Sequence, residues 1–308
     1  MDNENITAAN ENRFNAGNYS EALTAFTVGW TDPDNIAQIL DFIAPPVPVG
    51  RRFEFKRSEN AQAFYSENDD VRTVGSEFKR VRYEGESVNE KTLNKGLTIR
   101  VDRDEVAGDD WQERYVQTLM QRLLRNELRR AVSALDAISQ ALAPANWSGS
   151  TNPDADIRAM LMSAADESGI RPNRLLLGES AWDVRMTCLE AQNSAVAFKG
   201  AAMAKSELAG KFLLDACEVL SSRYQSAPSQ KTQILGKSVY AFYAQSSISK
   251  DEPSNLKRFF TPMDEGSAFR VYSEEHAKYT DITVEHYSSI VATSDLGVRK
   301  FTITEEGA

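Results

Sequence analysis

The longest regular pattern of apolar residues lies between residues 110 and 142, where they recur every three or four positions. That spacing gathers them on one face of an α-helix, so the pattern predicts a helix of roughly 32 residues, about 48 Å long. Asp109 or Asp110 is suited to cap its start, and Pro144 ends the run. A coiled coil is the alternative for such a long helix, but the apolar positions keep no strict heptad.

Alternating polar and apolar positions predict strands at both ends of residues 51–102. Phe53 and Phe55 alternate with charged residues, and a second alternation runs over 97–101. This period of two is typical of a half-buried strand. Residues 66–95 between them are mostly polar and charged. Because a two-stranded ribbon is marginal alone in water, we expect this excursion to lie against another surface.

The first part of the chain, residues 1–43, carries scattered apolar residues such as Phe14 and Trp30 but little periodicity. One short helix is predicted over residues 34–42. We interpret the segment as an arm laid over a surface, without a core of its own. Three prolines within residues 45–48 impose an extended backbone, which predicts a stiff crossing between arm and body.

The remainder of the chain mixes helix and strand signals. Asn152 and Pro153 are suited to begin a helix that ends near Gly169. An apolar run predicts a buried strand at 174–178, and a helix follows at 180–193. Later strands are predicted at residues 234–244, 269–272, 281–292 and 298–303. Together these elements predict an α+β protein.

The charge balance limits the classes of partner. The chain has 308 residues, room for about two domains, and a formal net charge of −10. A protein that grips nucleic acid needs a basic patch, so this balance argues against sequence-specific DNA binding, although an acidic container around DNA is compatible with it. The polar face of the long predicted helix is nonetheless basic, with Arg114, Arg122, Arg125, Arg129 and Arg130. No stretch approaches the roughly 20 apolar residues of a membrane span, and the start lacks a secretory signal.

Gly236-Lys237-Ser238 is similar to the end of a phosphate-binding loop. The full motif needs a glycine at the position of Lys231, and it needs a helix where a strand-like run follows. We therefore interpret these residues as a turn before a strand.

Gly178-Glu179-Ser180 lies between a predicted strand and a helix, as the nucleophile elbow of a hydrolase does. The second glycine of that motif would stand at Trp182, whose bulk blocks close backbone approach. Ser180 is better interpreted as a helix N-cap.

The remaining chemically active residues form no recognisable set. A catalytic triad would need His276 or His286 beside Ser180, and His286 falls in an alternating strand pattern. Cys188 and Cys217 match no zinc or redox spacing and suit buried thiols. We expect no enzyme activity, no cofactor and no metal.

The order of these parts resembles the Hong Kong 97-type major capsid protein of tailed bacteriophages. The similar stretches are the end of the N-terminal arm, the return strand of the extended E-loop, the spine helix, the entry to the axial domain and two late strands, at residues 43–50, 96–102, 110–142, 174–182, 234–240 and 281–285. Each stretch alone is weakly specific, and their order carries the resemblance over nearly the whole chain.

The resemblance implies a division of the chain into an arm, an E-loop with its flanking strands, a peripheral domain and an axial domain, at residues 1–50, 51–102, 103–150 with 266–298, and 151–265 with 299–308. It implies pentamers and hexamers that assemble into an icosahedral shell around double-stranded DNA, in the virion and, during assembly, in the host cytoplasm. About 50 residues precede the E-loop, too few for an internal scaffolding domain. A separate scaffolding protein, a portal and decoration proteins are therefore the expected partners, and no membrane is involved.

Candidate contacts between subunits lie in the E-loop and the arm. They are Lys79, Arg80 and Arg82 in the former, and Phe14 and Trp30 in the latter. Two rival interpretations stay open. One is an encapsulin, which shares the fold but encloses protein cargo, and the other is a serine hydrolase.

Overall fold

The computed structural model describes residues 17–57, 71–78, 86–106, 108–246, 254–263 and 267–304. Within this part of the chain the α-helices are α1 Glu21–Gly29, α2 Ile36–Ile43, α3 Trp111–Ile138, α4 Pro153–Ser168, α5 Glu179–Ala191, α6 Ala195–Ala201 and α7 Lys205–Phe212. The first strands are β1 Pro46–Pro48, β2 Arg52–Arg57, β3 Glu86–Lys91, β4 Leu93–Asp102, β5 Gln140–Ala141, β6 Ala145–Asn146 and β7 Arg174–Gly178. The later strands are β8 Ala216–Leu220, β9 Arg223–Ala227, β10 Gln230–Gln233, β11 Ser238–Phe242, β12 Leu256–Phe260, β13 Arg270–Glu275, β14 Tyr279–Ala292 and β15 Arg299–Thr304.

The long helix α3 begins close to the predicted position and ends earlier than predicted. Its 28 residues extend about 42 Å. At its start, Asp110 occupies the N-cap position without a capping hydrogen bond from its side chain. At its end, Ser139 is extended and donates its hydroxyl to the Leu135 carbonyl. The chain then pairs as β5 with β15, so strand pairing overrides the helical pattern that continues to residue 142.

The first sheet lies against α3. Within the described residues its strand order is β1-β12-β14-β13, and β4 also pairs with β14. The burial of β4 alternates along the strand, as its sequence pattern predicts. The core between this sheet and the helix consists of Leu23, Val116, Leu119, Met120, Leu123, Val271, Ile282 and Val284. Thus α3 packs on the first sheet, and β14 is the strand with which β4, β12 and β13 pair.

The second sheet is surrounded by the shorter helices. Its described strands run β5-β15-β11-β7-β8, with β6 beside β15. The strand β7, between β11 and β8, is wholly buried, as its apolar run predicts. Gly178 is the last residue of that strand. A Cβ atom at this position would lie 1.8 Å from the Gly236 carbonyl oxygen, so only glycine fits this close backbone approach.

The helix α2 belongs to the core of its own chain. Ile36, Leu40 and Ile43 are buried in a cluster with apolar residues of α3 and the second sheet. The Arg174 guanidinium donates to the Phe42 carbonyl and fixes the end of the helix. Sequence analysis located this helix but did not predict its share in the core, because a short apolar pattern beside polar flanks gives no sign of its partner.

The strand β12 pairs with β14 in the first sheet, although the resemblance grouped residues 256–260 with the axial segment. Its other edge pairs in parallel with β1. Backbone hydrogen bonds from Arg258 to Pro45 and from Val49 to Phe260 hold this pairing. These partners lie far apart in sequence, so local patterning could not reveal them.

The other predicted elements agree with the structure to within a few residues. α4 begins with the Asn152 side chain accepting from the Asp154 amide, and Gly169 follows it in the left-handed conformation. The later predicted strands correspond to β11, β13, β14 and β15. Sequence analysis did not predict α1, α6, α7, β5, β6, β8, β9, β10 or β12. None of the described helices is both long enough and apolar enough to cross a membrane.

Candidate functional site

The ribbon formed by β2 and β3 leaves the body beside the first sheet. The two strands pair with each other and, within the described residues, with no other strand. An aromatic cluster anchors their base: the Phe53 and Phe55 rings lie 4.4 and 5.5 Å from the ring of Phe259 on β12. Because Phe55 and Phe259 are buried, the root of the ribbon is fixed to the body of its own subunit.

Residues 71–78, here called the ribbon segment, lie between the two strands along the chain. Val71, Val74 and Phe78 are 81%, 104% and 70% exposed. The Arg72 guanidinium lies 5.1 Å from the centre of the Phe78 ring, which leaves most of that ring open. Three large apolar side chains exposed within eight residues are typical of a surface that a partner covers.

The structure does not describe most of the contact residues that the sequence predicts. Lys79, Arg80, Arg82 and Phe14 lie outside the described residues. Trp30 follows α1, is half-buried and packs against two of the core clusters. Its visible contacts are within its own chain, and a contact with a neighbouring subunit stays a prediction.

A second group of exposed apolar side chains lies on α6 and at the end of α7. It comprises Val196, Phe198 and Leu213, which are 84%, 47% and 78% exposed. Leu213 has a φ of 57°, a left-handed conformation that costs a branched residue about 1–2 kcal/mol. Arg171 holds this turn by donating to the carbonyls of Phe212 and Leu213.

A buried charge network joins β4 and β14 to α3. The Glu127 carboxylate accepts from the Lys95 ammonium at 2.8 Å and from the Ser288 hydroxyl at 2.9 Å, and Arg130 also pairs with it. Burial acts to raise the pKa of Glu127, but the charge and hydrogen bond of Lys95 outweigh it and hold the pKa below its usual value. Sequence analysis missed this network, although an acid among the apolar positions of the predicted helix could have indicated it.

His286 lies on β14 near that network. Burial lowers its pKa to about 4, so the imidazole is neutral at pH 7. Its ring packs 5.3 Å from Phe269, and its Nε2 atom has no hydrogen-bond partner in the described residues. The environment is that of a sheet residue, as the alternating pattern predicts.

A second buried network holds the helices around the other sheet together. The Asp154 carboxylate receives two hydrogen bonds from the Arg185 guanidinium, at 2.7 and 3.0 Å, and one from Lys211. Arg185 also donates to the Gly200 carbonyl of α6. One carboxylate therefore links α4, α5, α6 and α7. Burial opposes ionisation here, but the paired cations keep the pKa of Asp154 below its usual value.

Ser180 does not act as the predicted N-cap. α5 begins at Glu179, so Ser180 lies inside its first turn, and its hydroxyl donates to the Gln233 side chain at 2.9 Å. No histidine hydrogen-bonds to Ser180 among the described residues. Burial raises the pKa of Cys217 to about 12, so that thiol is unreactive. Gly236 and Lys237 directly precede β11, which begins at Ser238, so a strand follows where the phosphate-binding motif needs a helix.

Glu274, His276 and Asp281 place their ligand atoms within 4.8 Å of one another at the β13–β14 hairpin. Both oxygens of Asp281 accept from the Arg100 guanidinium at 2.8 Å. The His276 Nε2 atom lies 3.2 Å from the Glu274 carboxylate. Side chains of the protein itself therefore pair with both carboxylates of the cluster.

The chain resembles solved structures in fold. Comparisons with protein-family models and with curated proteins find no match. A phage-related protein from Bordetella bronchiseptica RB50 is 19% identical, with a TM-score of 0.68 over 92% of this chain and 96% of that one. The virus-like particle from Pyrococcus furiosus is 11% identical, with a TM-score of 0.52 over 91% and 96%. The predicted α+β fold of the Hong Kong 97 type is thus confirmed.

Proposed function

We propose that this chain is a major capsid protein that assembles, as pentamers and hexamers, into a closed icosahedral shell around double-stranded phage DNA. The fold it shares with a phage-related protein and with the subunit of a virus-like particle supports this proposal. The role is structural and not catalytic. The virion is then its final location, and the host cytoplasm is the place of assembly.

The observation that carries the proposal is the ribbon with its exposed segment. Its root is fixed to the body by Phe53 and Phe55, yet Val71, Val74 and Phe78 are exposed. Burying a large apolar side chain stabilises by about 1.5–3 kcal/mol, so covering all three gives roughly 4–9 kcal/mol before ordering costs. A neighbouring subunit is the surface that a repeating shell supplies.

We extend this proposal to the contacts between subunits that the sequence predicts in the E-loop and the arm. Lys79, Arg80 and Arg82 would set the register of the ribbon on its neighbour, and Phe14 and Trp30 would anchor the arm. The proposed division of the chain is an arm before residue 51, an E-loop to residue 102, a peripheral part containing α3 with the first sheet, and an axial part containing the second sheet. A scaffolding protein, a portal and decoration proteins are the proposed partners.

Replacing the three exposed apolar residues tests the proposal. The variant Val71→Ser, Val74→Ser, Phe78→Ser is expected to fold normally, because these side chains contribute nothing to the described core. It is also expected to assemble poorly. Thermal melts measure the first property, and negative-stain microscopy with sedimentation measures the second. Met162→Ser, which removes an exposed apolar side chain from α4, is the matched control.

The outcomes are distinct. If the wild-type chain stays monomeric or dimeric with every scaffolding protein tried, the proposal that it assembles into a shell is refuted. Normal shells from the triple variant would show that the ribbon segment is not the contact. Particles that enclose protein instead of DNA would assign the chain to the encapsulin type.

A further inference from the structure

A basic groove lies between α3, the segment before α2 and the β9–β10 hairpin. Its volume is about 820 Å³. Five cationic side chains line it, namely Arg122, Arg125, Arg129, Arg223 and Lys231. Such a concentration of positive charge is notable on a chain with a net charge of −10. The packing of α3 on the first sheet does not account for it, because Arg122, Arg125 and Arg129 lie outside the buried apolar face of α3, and Arg223 and Lys231 belong to the hairpin.

Two of the five cations are already paired. Arg125 forms an ion pair with Asp34 at 2.7 Å, and Arg223 pairs with Glu179. The other three have no ion-pair partner within the described residues, and they are Arg122, Arg129 and Lys231. These three are also exposed, so their charge is available to a ligand.

Two of these three available charges lie on α3. Arg122 and Arg129 are seven residues apart, which places them two helical turns or about 10.5 Å apart along α3. The guanidinium of Arg129 lies 4.0 Å from the centre of the Tyr224 ring on the hairpin, and this contact joins the two walls. Since a strand of duplex DNA carries one phosphate per about 3.4 Å of axis, this spacing spans about three phosphates.

The rest of the lining indicates the class of ligand. Asn126, Ser221, Ser222 and Gln225 supply amide and hydroxyl donors, the groups that contact phosphate and sugar oxygens. The aliphatic side chains at the groove are Ile36, which is only 1% exposed, and the half-buried Leu97, so they offer little apolar surface for anchoring a peptide. The volume admits the edge of one strand and not a whole duplex.

We propose that this groove binds the phosphate backbone of double-stranded DNA without reading its bases. The inference rests on the proposed function in one respect, that DNA is the content of the shell. An acidic chain would then hold its contents at one defined groove on each subunit, while its remaining negative surface keeps the DNA from adhering elsewhere.

The experiment uses the unassembled full-length chain and a fluorescein-labelled mixed-sequence duplex, with anisotropy read across salt concentrations. Three phosphate contacts predict a slope of log affinity against log salt of about −2.7, or roughly a 40-fold loss between about 50 and 200 mM. The variant Arg122→Gln, Arg129→Gln, Lys231→Gln is expected to lose the binding and the slope together.

A charge-matched control removes three exposed cations outside the groove, by Arg114→Gln, Arg158→Gln and Lys199→Gln. It should keep the wild-type slope. Equal loss in both variants, or no DNA binding by the wild type at low salt, would overturn the inference. Poly-glutamate that competes as well as DNA at equal charge would assign the groove to an acidic polypeptide and overturn it as well.

Negative-stain microscopy of the same proteins separates this inference from the proposed function. Shells that form from a chain lacking groove-dependent DNA binding would refute the groove assignment alone. Groove-dependent binding by a chain that forms no shell under any condition would refute the capsid proposal alone.

Discussion

Glu127 carries a buried negative charge on α3, and removing that charge tests how β4 is tied to the helix. Its side chain is 0% exposed, and its partner Lys95 is 12% exposed. Glu127→Gln keeps the size of the side chain but leaves the Lys95 ammonium buried without its carboxylate. Removing one partner of a buried ion pair costs about 3–5 kcal/mol. Arg130 can turn to solvent and Lys95 retains Ser288, so we expect a loss of about 3 kcal/mol.

The pH dependence of this loss has a definite sign. The pKa of Glu127 is lower in the folded chain than its ordinary value of 4.5. A carboxyl group with a depressed folded pKa contributes stability above its unfolded pKa, and that stability disappears as the pH falls through the folded value. The difference between wild type and Glu127→Gln should therefore be full at pH 7 and shrink below about pH 4.5.

Urea unfolding of unassembled full-length subunits, followed by tryptophan fluorescence and circular dichroism, measures the loss. The double variant Glu127→Leu, Lys95→Met removes both charges and should stay within about 1 kcal/mol of wild type, because apolar replacement of a buried pair is often neutral. Glu190→Gln changes an exposed acid and serves as the control. A Glu127→Gln stability within about 0.5 kcal/mol of wild type, the range of ordinary surface substitutions, would refute the reasoning.

Three further changes have clear expected outcomes. Gly178→Ala should destabilise by at least about 3 kcal/mol in chemical denaturation, because its Cβ would overlap the Gly236 carbonyl, whereas Gly210→Ala, with open space around it, should be neutral or slightly stabilising. Leu213→Gly should raise the subunit's stability by about 1 kcal/mol in thermal melts by relieving its left-handed backbone, and an unchanged melting temperature would contradict that strain. Deleting residues 17–43 should leave a chain that fails to fold, seen as lost near-ultraviolet circular dichroism, because α2 is part of the core, and a well-folded truncated body would contradict this.

Features governed by neighbouring residues were predictable from the sequence. The apolar spacing of α3, the alternation of β4, and the Asn152 cap of α4 depend on contacts within a few positions. The same local reasoning identified the basic face of α3. It also predicted the strand that follows Gly236. The order of these local elements was sufficient to indicate the fold class.

Features that depend on partners distant in the chain were decided only by the tertiary structure. α3 ends early because β5 finds β15, and β12 enters the first sheet because β1 and β14 accept it on both edges. Glu127 is paired only because β4 brings Lys95 to it, and the basic face becomes a groove only because the β9–β10 hairpin stands opposite. Hydrogen bonding between strands and charge pairing across a core are set by spatial proximity, and a one-dimensional pattern of side chains does not encode which distant segments meet.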